Sequence, residues 1–277
     1  MVRLIERNRL CAVMTEETPI GIFDSGVGGL SIARCIRNTL QAESLIYIAD
    51  QGFSPYGTKS KQEIEVRSNC VIDFLIDQGC KAIVVACNTA TVNSIDKLRI
   101  KYDIPLVGVE PGVKPAALNT KTGVVGILAT ALTLNSDSFK ELKASYSEQV
   151  NVEMEACPDL VDLVEEGSFS SAEALKQIEN YVVPLLDKGA DHIVLGCTHF
   201  SFLIPLIEKI VKDKAVIVDT AMPVAIELKR RLLMMNLLNQ AATPGGVEFW
   251  SSEVSEKTSE RISTLWGQKV KVSKFYD

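Results

Sequence analysis

Two cysteines occupy matching places in the sequence and are the strongest candidates for chemistry. Cys87 ends the run VVAC and is followed by NTAT, and Cys197 ends the run VLGC and is followed by THF. In each case an apolar run typical of a buried strand leads a thiol into a turn of small polar residues. A thiol has a pKa of about 8.5, which a nearby cation or helix N-terminus lowers, so it can serve as acid or base. A lone cysteine is more often a small buried hydrophobe, so the hypothesis depends on the match between the two.

An internal repeat places the two cysteines at equivalent positions. Residues 74–87 read FLIDQGCKAIVVAC and residues 184–197 read PLLDKGADHIVLGC. At an offset of 110, identical residues fall at 75/185, 77/187, 79/189, 83/193, 84/194 and 87/197. Each copy reads as a helix end, a glycine turn, a buried strand and a cysteine. The repeat predicts two related units, although any helix–turn–strand unit shares part of this pattern.

Equivalent thiols suit a reaction whose substrate and product are mirror images. Inverting an amino-acid α-carbon requires a base on one face and an acid on the other. One turnover exchanges their protonation states, and the roles reverse for the other enantiomer. Both thiols are predicted at the carboxyl ends of strands, where open α/β sheets bind ligands. The sequence therefore predicts a shared cleft with one thiol on each side of the ligand.

Polar residues directly follow both cysteines. Asn88 and Thr89 come after the first cysteine, and Thr198 and His199 come after the second. Their amide and hydroxyl groups can orient the carboxylate and ammonium of an amino acid. His199 is predicted to tune the acidity of the Cys197 thiol or to relay protons. The alternative for His199 is a residue of a capped turn.

The segment FDSGVGGLSI, residues 23–32, reads as a strand end, a glycine-rich turn and a helix start. Backbone N–H groups at such a helix start favour anions. As a dinucleotide fingerprint the segment is weak: Gly26 and Gly28 match, but Ser31 replaces the third glycine and Asp24 would repel phosphate. Asp24 and Ser25 are predicted to point at the ligand, with the carboxylate suited to an ammonium group. The alternative for Asp24 is a helix cap.

Two further turns are candidate substrate contacts. Pro55, Tyr56 and Gly57 form a turn before a helix, and Thr130 and Thr133 follow another predicted strand. The alternative for each set is a local structural role only. For the first set that alternative is a simple turn, and for the second it is a pair of helix N-caps.

Apolar runs alternate with helical patterns along the chain. The predicted strands are mostly continuous Ile, Val and Leu, as in the buried strands of parallel sheets. They cover residues 20–23, 45–49, 82–86, 106–109, 124–128, 151–156, 192–195 and 215–218. The alternation predicts an α/β fold with two pseudo-symmetric, doubly wound lobes of mainly parallel strands and the site in the cleft between them.

The composition excludes several classes of protein. A net charge of −6 over 277 residues lacks the basic surface of a nucleic-acid-binding protein. No apolar run reaches the ~18–20 residues that a membrane helix needs. Seven cysteines, an odd number without CxxC spacing, indicate reduced thiols in a cytoplasmic protein. Residues 1–18 are predicted to be an extension, either a fraying end or a docking arm.

Taken together, these motifs resemble the glutamate racemases of the aspartate/glutamate racemase superfamily. The cysteine motifs and DSGVGG are the specific part, and the other motifs are individually weak. In the family's order, the matching segments are DSGVGG at 24–29, PYG at 55–57, ACNTA at 86–90, GVEPG at 108–112, ATxxT at 129–133, CPxLVxLVExG at 157–167 and LGCTH at 195–199.

The resemblance implies that Cys87 and Cys197 are the two proton donors and acceptors, with no pyridoxal phosphate and no metal. It implies that Asp24, Glu165 and His199 assist the thiols, although Glu166 beside Glu165 leaves that acidic residue open. The substrate-binding residues that it implies are Asp24, Ser25, Pro55, Tyr56, Gly57, Asn88, Thr89, Thr130, Thr133, Thr198 and His199. It also implies a bacterial cytoplasmic enzyme that supplies D-glutamate for peptidoglycan, usually as a homodimer.

The lobe boundaries are expected after GVEPG and after Asp219. Lobe one would comprise residues 19–112 and 220–277, and lobe two residues 113–219. The chain would leave the first lobe, complete the second and return.

Three other functions fit parts of the pattern. Another racemase of the superfamily, such as an aspartate racemase, would differ in substrate profile. A zinc site formed by Cys87, Cys197 and His199 would be detected by metal analysis, although no fourth ligand stands at a suitable spacing. A non-catalytic protein on the same fold would bind an amino acid without exchanging its α-proton.

Overall fold

The computed structural model describes residues 14–169 and 171–276, so residues 1–13 of the predicted extension lie outside it. The described chain contains ten strands in two sheets. They are β1 (Ile20–Asp24), β2 (Leu45–Ala49), β3 (Ala82–Val85), β4 (Leu106–Gly108), β5 (Val124–Ala129), β6 (Asn151–Ala156), β7 (His192–Gly196), β8 (Val216–Val218), β9 (Val247–Ser251) and β10 (Val272–Lys274).

Helices connect and cover these strands. The α-helices of the described chain are α1 (Leu30–Thr39), α2 (Lys61–Asp77), α3 (Asn88–Lys101), α4 (Val113–Asn119), α5 (Ala131–Asn135), α6 (Asp137–Ala144), α7 (Pro158–Glu166), α8 (Ala172–Asp187), α9 (Ile204–Val211), α10 (Ala221–Met234) and α11 (Glu256–Trp266). Short 3-10 helices cover Gln51–Phe53, Tyr56–Thr58 and Thr198–Leu203.

The two sheets share one topology. The six-stranded sheet has the order β10-β9-β2-β1-β3-β4 and the four-stranded sheet the order β6-β5-β7-β8. Within each, four consecutive strands therefore follow the order 2-1-3-4, and every pairing is parallel. The predicted α/β fold with two pseudo-symmetric lobes is confirmed.

The central strands are buried along their whole length, which explains their continuous apolar sequences. All residues of β1, β2, β3 and β7 are buried. A strand covered by helices on both faces presents no residue to water, so it shows no polar alternation. One side of the six-stranded sheet differs: β9, next to the edge, alternates between buried and more exposed positions, and the edge strand β10 has only three residues.

The sequence repeat corresponds to the same structural unit in both lobes. It covers the end of α2 with β3, and the end of α8 with β7. The turn glycines Gly79 and Gly189 have φ angles of 77° and 91°, a region that other residues adopt at a cost. A Cβ on Gly21 of β1 would lie 2.9 Å from Leu75 Cδ1, and one on Gly126 of β5 would lie 2.9 Å from Leu185 Cδ1. Each repeat leucine thus packs onto a glycine of the neighbouring central strand.

The lobe boundaries at residues 112/113 and 219/220 stay a prediction, and two helices support them. Val113 of α4 packs in one cluster with Val125 and Ile127 of the four-stranded sheet. By contrast, α10 packs mainly on α1, which follows the first strand of the six-stranded sheet. Within the described ranges, no helix is both long and apolar enough to cross a bilayer.

Candidate active site

Both cysteines lie directly after equivalent strands. Cys87 follows β3 and is the residue before α3, and Cys197 follows β7 and precedes the 3-10 helix Thr198–Leu203. The side chains are 5% and 8% exposed. Because little solvent reaches these two buried thiols, the protein groups next to them determine which protonation state is favoured.

Cys87 has a hydroxyl, a helix N-terminus and a carboxylate around it. Its Sγ donates to Ser25 Oγ at 3.6 Å and accepts from the Ala90 backbone N–H at 3.5 Å. Burial raises the pKa of the Cys87 thiol, and the negative charge of Asp24 raises it further. Both effects favour the neutral thiol of Cys87 over its thiolate.

Cys197 has an imidazole beside it. Its Sγ lies 3.7 Å from Nδ1 of His199, whose Nε2 lies 2.7 Å from Oε1 of Glu165. Burial lowers the pKa of His199, but its hydrogen bonds with Cys197 and Glu165 outweigh burial and hold that pKa well above its usual value. A protonated His199 stabilises negative charge on the Cys197 sulfur.

Glu165 connects the two lobes at this point. It lies in the last turn of α7, and its carboxylate accepts from the Val27 backbone N–H at 3.0 Å and from Gln51 Nε2 at 2.8 Å. Burial acts to raise the pKa of Glu165, but hydrogen bonds from His199, Val27 and Gln51 lower it. The neighbouring Glu166 is exposed. The structure thus directs Glu165, and not Glu166, towards His199.

The glycine-rich turn makes room for these side chains. A Cβ on Gly26 would lie 2.0 Å from Glu165 Oε1, and a Cβ on Gly28 would lie 2.4 Å from His199 Nδ1. The turn was predicted to favour an anionic ligand through its N–H groups. Two of those groups are instead occupied by the protein's own carboxylates, because Val27 N–H donates to Glu165 and Gly29 N–H donates to Asp24 at 2.7 Å.

Asp24 is fully buried at the end of β1. Its Oδ2 accepts from the N–H of Gly29, the residue before α1, in agreement with the helix-cap alternative, whereas its Oδ1 has no hydrogen-bond partner among the described residues. Its contact with a ligand stays a prediction. Burial raises the pKa of Asp24, and the opposing charge of His199 does not cancel that effect. The free oxygen is available to a ligand.

Asn88 also has unused hydrogen-bonding groups. It is buried as the first residue of α3, and neither its Nδ2 nor its Oδ1 has a partner in the described part of the chain. Buried polar atoms normally find a partner. A ligand carrying both an acceptor and a donor would satisfy the two amide atoms.

Three threonine hydroxyls form a closed triangle across the lobes. Thr89 Oγ1 lies 3.0 Å from Thr130 Oγ1 and 3.2 Å from Thr133 Oγ1, and the last two lie 2.9 Å apart. Thr130 also caps α5, as the local alternative predicted. Gly57 lies against this triangle, since a Cβ there would approach Thr130 Cβ to 3.2 Å.

The remaining predicted residues differ in their placement. Thr198 is buried beside Cys197, and its carbonyl accepts from Ser31 Oγ at 3.3 Å. Pro55 is exposed and lines a cavity of about 310 Å³ whose lining also includes Gln51 and Glu165. The structure therefore places Thr198 beside Cys197 and Pro55 on the side of the site where Glu165 lies.

Tyr56 belongs to a buried network that sequence reasoning missed. Its hydroxyl donates to Asp50 Oδ2 at 2.6 Å, and Arg67 donates Nε and Nη2 to the two oxygens of Asp50 at 3.0 and 2.8 Å. Arg67 also lies 3.6 Å from the ring centre of Phe53. Burial and the charge of Asp50 hold the pKa of Tyr56 well above its usual value. Asp50 and Arg67 carry no sequence motif that would have identified them.

Metal ligation was also considered as an alternative for the cysteines. Among residues 14–169 and 171–276, no three Cys, His, Asp or Glu side chains are grouped so that they could hold a metal ion. The described part of the chain therefore supplies no ligand set for the zinc alternative.

Known proteins resemble this chain over most of its length. The profile of the Asp/Glu/hydantoin racemase family matches residues 20–227. A glutamate racemase of Methylococcus capsulatus is 46% identical over 250 residues, covering 90% of this chain and 92% of that protein. A glutamate racemase isoform of Bacillus anthracis superposes with a TM-score of 0.86 at 30% identity, covering 94% of this chain and 98% of that one. The glutamate racemase of Francisella tularensis, solved in complex with D-glutamate, gives a TM-score of 0.83 at 28% identity with the same coverage.

Proposed function

The chain belongs to the Asp/Glu/hydantoin racemase family, and we propose that it interconverts L- and D-glutamate, with Cys87 and Cys197 acting on opposite faces of the α-carbon. The observation that carries this proposal is the placement of two buried thiols after equivalent strands of two equivalent sheets. Glutamate as the substrate is supported by the similarity to glutamate racemases, one of them solved with D-glutamate.

The reaction transfers one proton to and one proton from the α-carbon. A thiolate removes the α-proton, so the C–H bond breaks, an S–H bond forms and the electron pair remains on the α-carbon. The opposite thiol then donates its proton to the other face, so its S–H bond breaks and a new C–H bond forms. The enzyme ends with the two protonation states exchanged. No electron acceptor is needed, and the mechanism uses no cofactor.

The two thiols have different surroundings. Cys197 lies beside His199, whose pKa is raised, whereas burial and Asp24 raise the pKa of the Cys87 thiol. For one enantiomer the proposal makes Cys197 the base, with its negative charge stabilised by protonated His199, and Cys87 the acid. The other enantiomer requires the reverse state, with the negative charge on Cys87 stabilised by Ser25 and the N-terminus of α3.

Substrate recognition follows from the unused polar groups. The free Oδ1 of Asp24 suits the ammonium group, and the free amide atoms of Asn88 suit a carboxylate and a donor beside it. The proposal assigns the second carboxylate to the hydroxyls of Thr89, Thr130 and Thr133, which lie within 3.2 Å of one another. The proposal assigns Ser25, Tyr56, Gly57 and Thr198 to the walls of the same site.

The cellular role is part of the same proposal. A glutamate racemase of a bacterial cytoplasm would supply D-glutamate for peptidoglycan, and a homodimer is the assembly expected from the resemblance. Aspartate is the nearest rival substrate. It is shorter by one methylene, a difference worth about 1–3 kcal/mol in a pocket fitted to the longer acid. Comparing kcat/KM for the two acids distinguishes the two assignments.

The test is α-proton exchange of L- and D-glutamate in deuterated water, followed by NMR, with the unmodified protein, Cys87→Ser and Cys197→Ser. The unmodified protein is expected to exchange both enantiomers. Each variant is expected to lose racemisation but to keep exchange of the one enantiomer that faces its remaining thiol. Equal exchange of both enantiomers by either variant would contradict the two-thiol mechanism. Exchange of neither enantiomer by the unmodified protein would exclude glutamate.

A further inference from the structure

A contact between the C-terminal part of the chain and α7 lies next to the site. Arg261 of α11 donates Nη1 to the carbonyl of Val164 at 3.0 Å and Nη2 to the carbonyl of Glu166. These two carbonyls flank Glu165 in the sequence. The guanidinium therefore holds the backbone on both sides of the residue whose carboxylate contacts His199.

The end of α7 is shaped to receive this guanidinium. Gly167 follows the helix, and a Cβ there would lie 2.0 Å from Arg261 Nη1. The last carbonyls of a helix carry partial negative charge, which a cation stabilises. Two parallel N–H donors also fix orientation in a way that the single ammonium of lysine does not reproduce.

The same turn of α7 is held from its other side through Glu165. That carboxylate accepts from Val27 and Gln51, which follow β1 and β2 of the six-stranded sheet, and it contacts His199. Helix α7 itself follows β6 of the four-stranded sheet. Arg261, Val27 and Gln51 thus attach one turn of α7 to elements that surround the other sheet.

We infer that Arg261 is a positioning residue for the Cys197 half of the reaction. It fixes the backbone that carries Glu165, Glu165 orients the imidazole of His199, and His199 stabilises the charge on Cys197. The inference rests on the proposed two-thiol function. It predicts a much smaller effect on the Cys87 half, because Asp24 and Ser25 come from the end of β1 and have no hydrogen bond to Arg261 or Glu165 among the described residues, so that only the charges of Glu165 and His199 reach Asp24.

Racemisation alone cannot test a one-sided effect. The two enantiomers have equal free energies, so any variant changes kcat/KM by the same factor in both directions. Proton exchange in single-cysteine variants separates the two halves, because Cys87→Ser retains only Cys197 and Cys197→Ser retains only Cys87. Arg261→Met is therefore combined with each, using L- and D-glutamate as probes.

In the Cys87→Ser background, Arg261→Met is expected to lower the exchange rate by roughly tenfold or more, since small displacements of catalytic groups are costly. In the Cys197→Ser background the rate is expected to change less than twofold. Arg261→Lys is expected to recover part of the loss, and Gly167→Ala to reproduce it by displacing the guanidinium.

Arg37 offers a matched control. It is also half-buried, and it donates Nη1 to the carbonyl of Gln41 at 2.7 Å and Nη2 to that of Glu43 at 2.9 Å, away from α7. Arg37→Met should leave both exchange rates unchanged, with a thermal unfolding midpoint measured for each variant.

Three results would overturn the inference. Equal losses in both backgrounds would assign Arg261 a general structural role, and no loss in either would assign it none. A lack of exchange in both single-cysteine parents, before Arg261 is changed, would overturn the two-thiol mechanism and with it this role.

Discussion

The Cys87 half and the Cys197 half of the site share a backbone position and differ in chemistry. Both thiols follow the third strand of a 2-1-3-4 sheet. Cys87 has a hydroxyl and a buried carboxylate as neighbours, and Cys197 has an imidazole paired with a carboxylate. The shared strand order thus places the two thiols at equivalent positions, and the different residues around them give each thiol its own charge environment.

The elements after the strands account for part of this difference. Cys87 begins a fourteen-residue α-helix and accepts an N–H from its first turn. Cys197 begins a six-residue 3-10 helix and makes no such capping contact. A negative charge on Cys87 is therefore stabilised by the N-terminus of α3, and one on Cys197 depends on His199.

The largest expected effect comes from removing the imidazole beside Cys197. His199→Gln should lower Cys197-driven exchange by roughly 10²-fold and Cys87-driven exchange much less, because only the Cys197 sulfur lies beside that imidazole. The measurement is deuterium exchange in the single-cysteine backgrounds. A loss of equal size in both halves would show that the two environments act as one unit.

A second, smaller effect is expected from the glycine-rich turn, whose glycines serve different halves. A Cβ on Gly28 would meet His199, and a Cβ on Gly29 would lie 2.7 Å from Asp24 Cβ. Gly28→Ala should lower Cys197-driven exchange by roughly tenfold, and Gly29→Ala should do the same to the Cys87 half. Gly246→Ala is the control, because no atom lies within 4 Å of a Cβ there. Indistinguishable profiles for Gly28→Ala and Gly29→Ala would refute this division.

The sequence predicted the part of the fold that is buried and locally encoded. All eight predicted strands are present. Continuous apolar runs identify the strands that are covered on both faces, such as β1, β2, β3 and β7. Strands β9 and β10 were missed because their sequences, VEFWS and VSK, contain polar residues and no continuous apolar run.

Within the site, the cysteines were found through the repeat, and their roles stay predictions. Contacts between distant residues left no local signal. Arg261 lies 97 residues from Val164, and Gln51 lies 114 residues from Glu165. The need for glycine at positions 26 and 28 could not be predicted from the sequence either. The side chains that would clash with a Cβ there, Glu165 and His199, come from the other lobe.

A third prediction compares how the halves respond to pH. The pKa of His199 is raised from 6.5, so the folded state binds this proton more tightly than the unfolded state does. The stabilisation is complete below pH 6.5 and is lost as the pH rises through the folded-state pKa. With Cys197→Ser in place, so that no thiol titrates beside the imidazole while the contact with Glu165 remains, the protein should lose up to about 1.4 kcal/mol per pH unit over that window relative to the same protein carrying His199→Gln.

Urea unfolding of Cys197→Ser with and without His199→Gln, at several pH values from 6 upwards, measures this slope. Subtracting the double variant removes the titration of groups that do not interact with His199. A difference that stays constant or grows as the pH rises would contradict the raised pKa of His199.

The smallest effect concerns the turn that precedes β3 and β7, outside the site, where equivalent substitutions are expected to lower the stability of the protein equally. Gly79 and Gly189 occupy the same turn of the repeat at positive φ, and no atom lies closer than 3.9 Å to a Cβ at either position. Gly79→Ala and Gly189→Ala should therefore each cost about 1 kcal/mol, from backbone strain alone. Thermal unfolding with Gly246→Ala as control measures both. Equal losses of stability in the two lobes, together with unequal responses of the two thiols, would show that the lobes are equivalent in backbone and differ in the side chains around the cysteines. Unequal losses of stability would mean that the backbones of the two lobes also differ. The different neighbours of Cys87 and Cys197 would then be one difference among several.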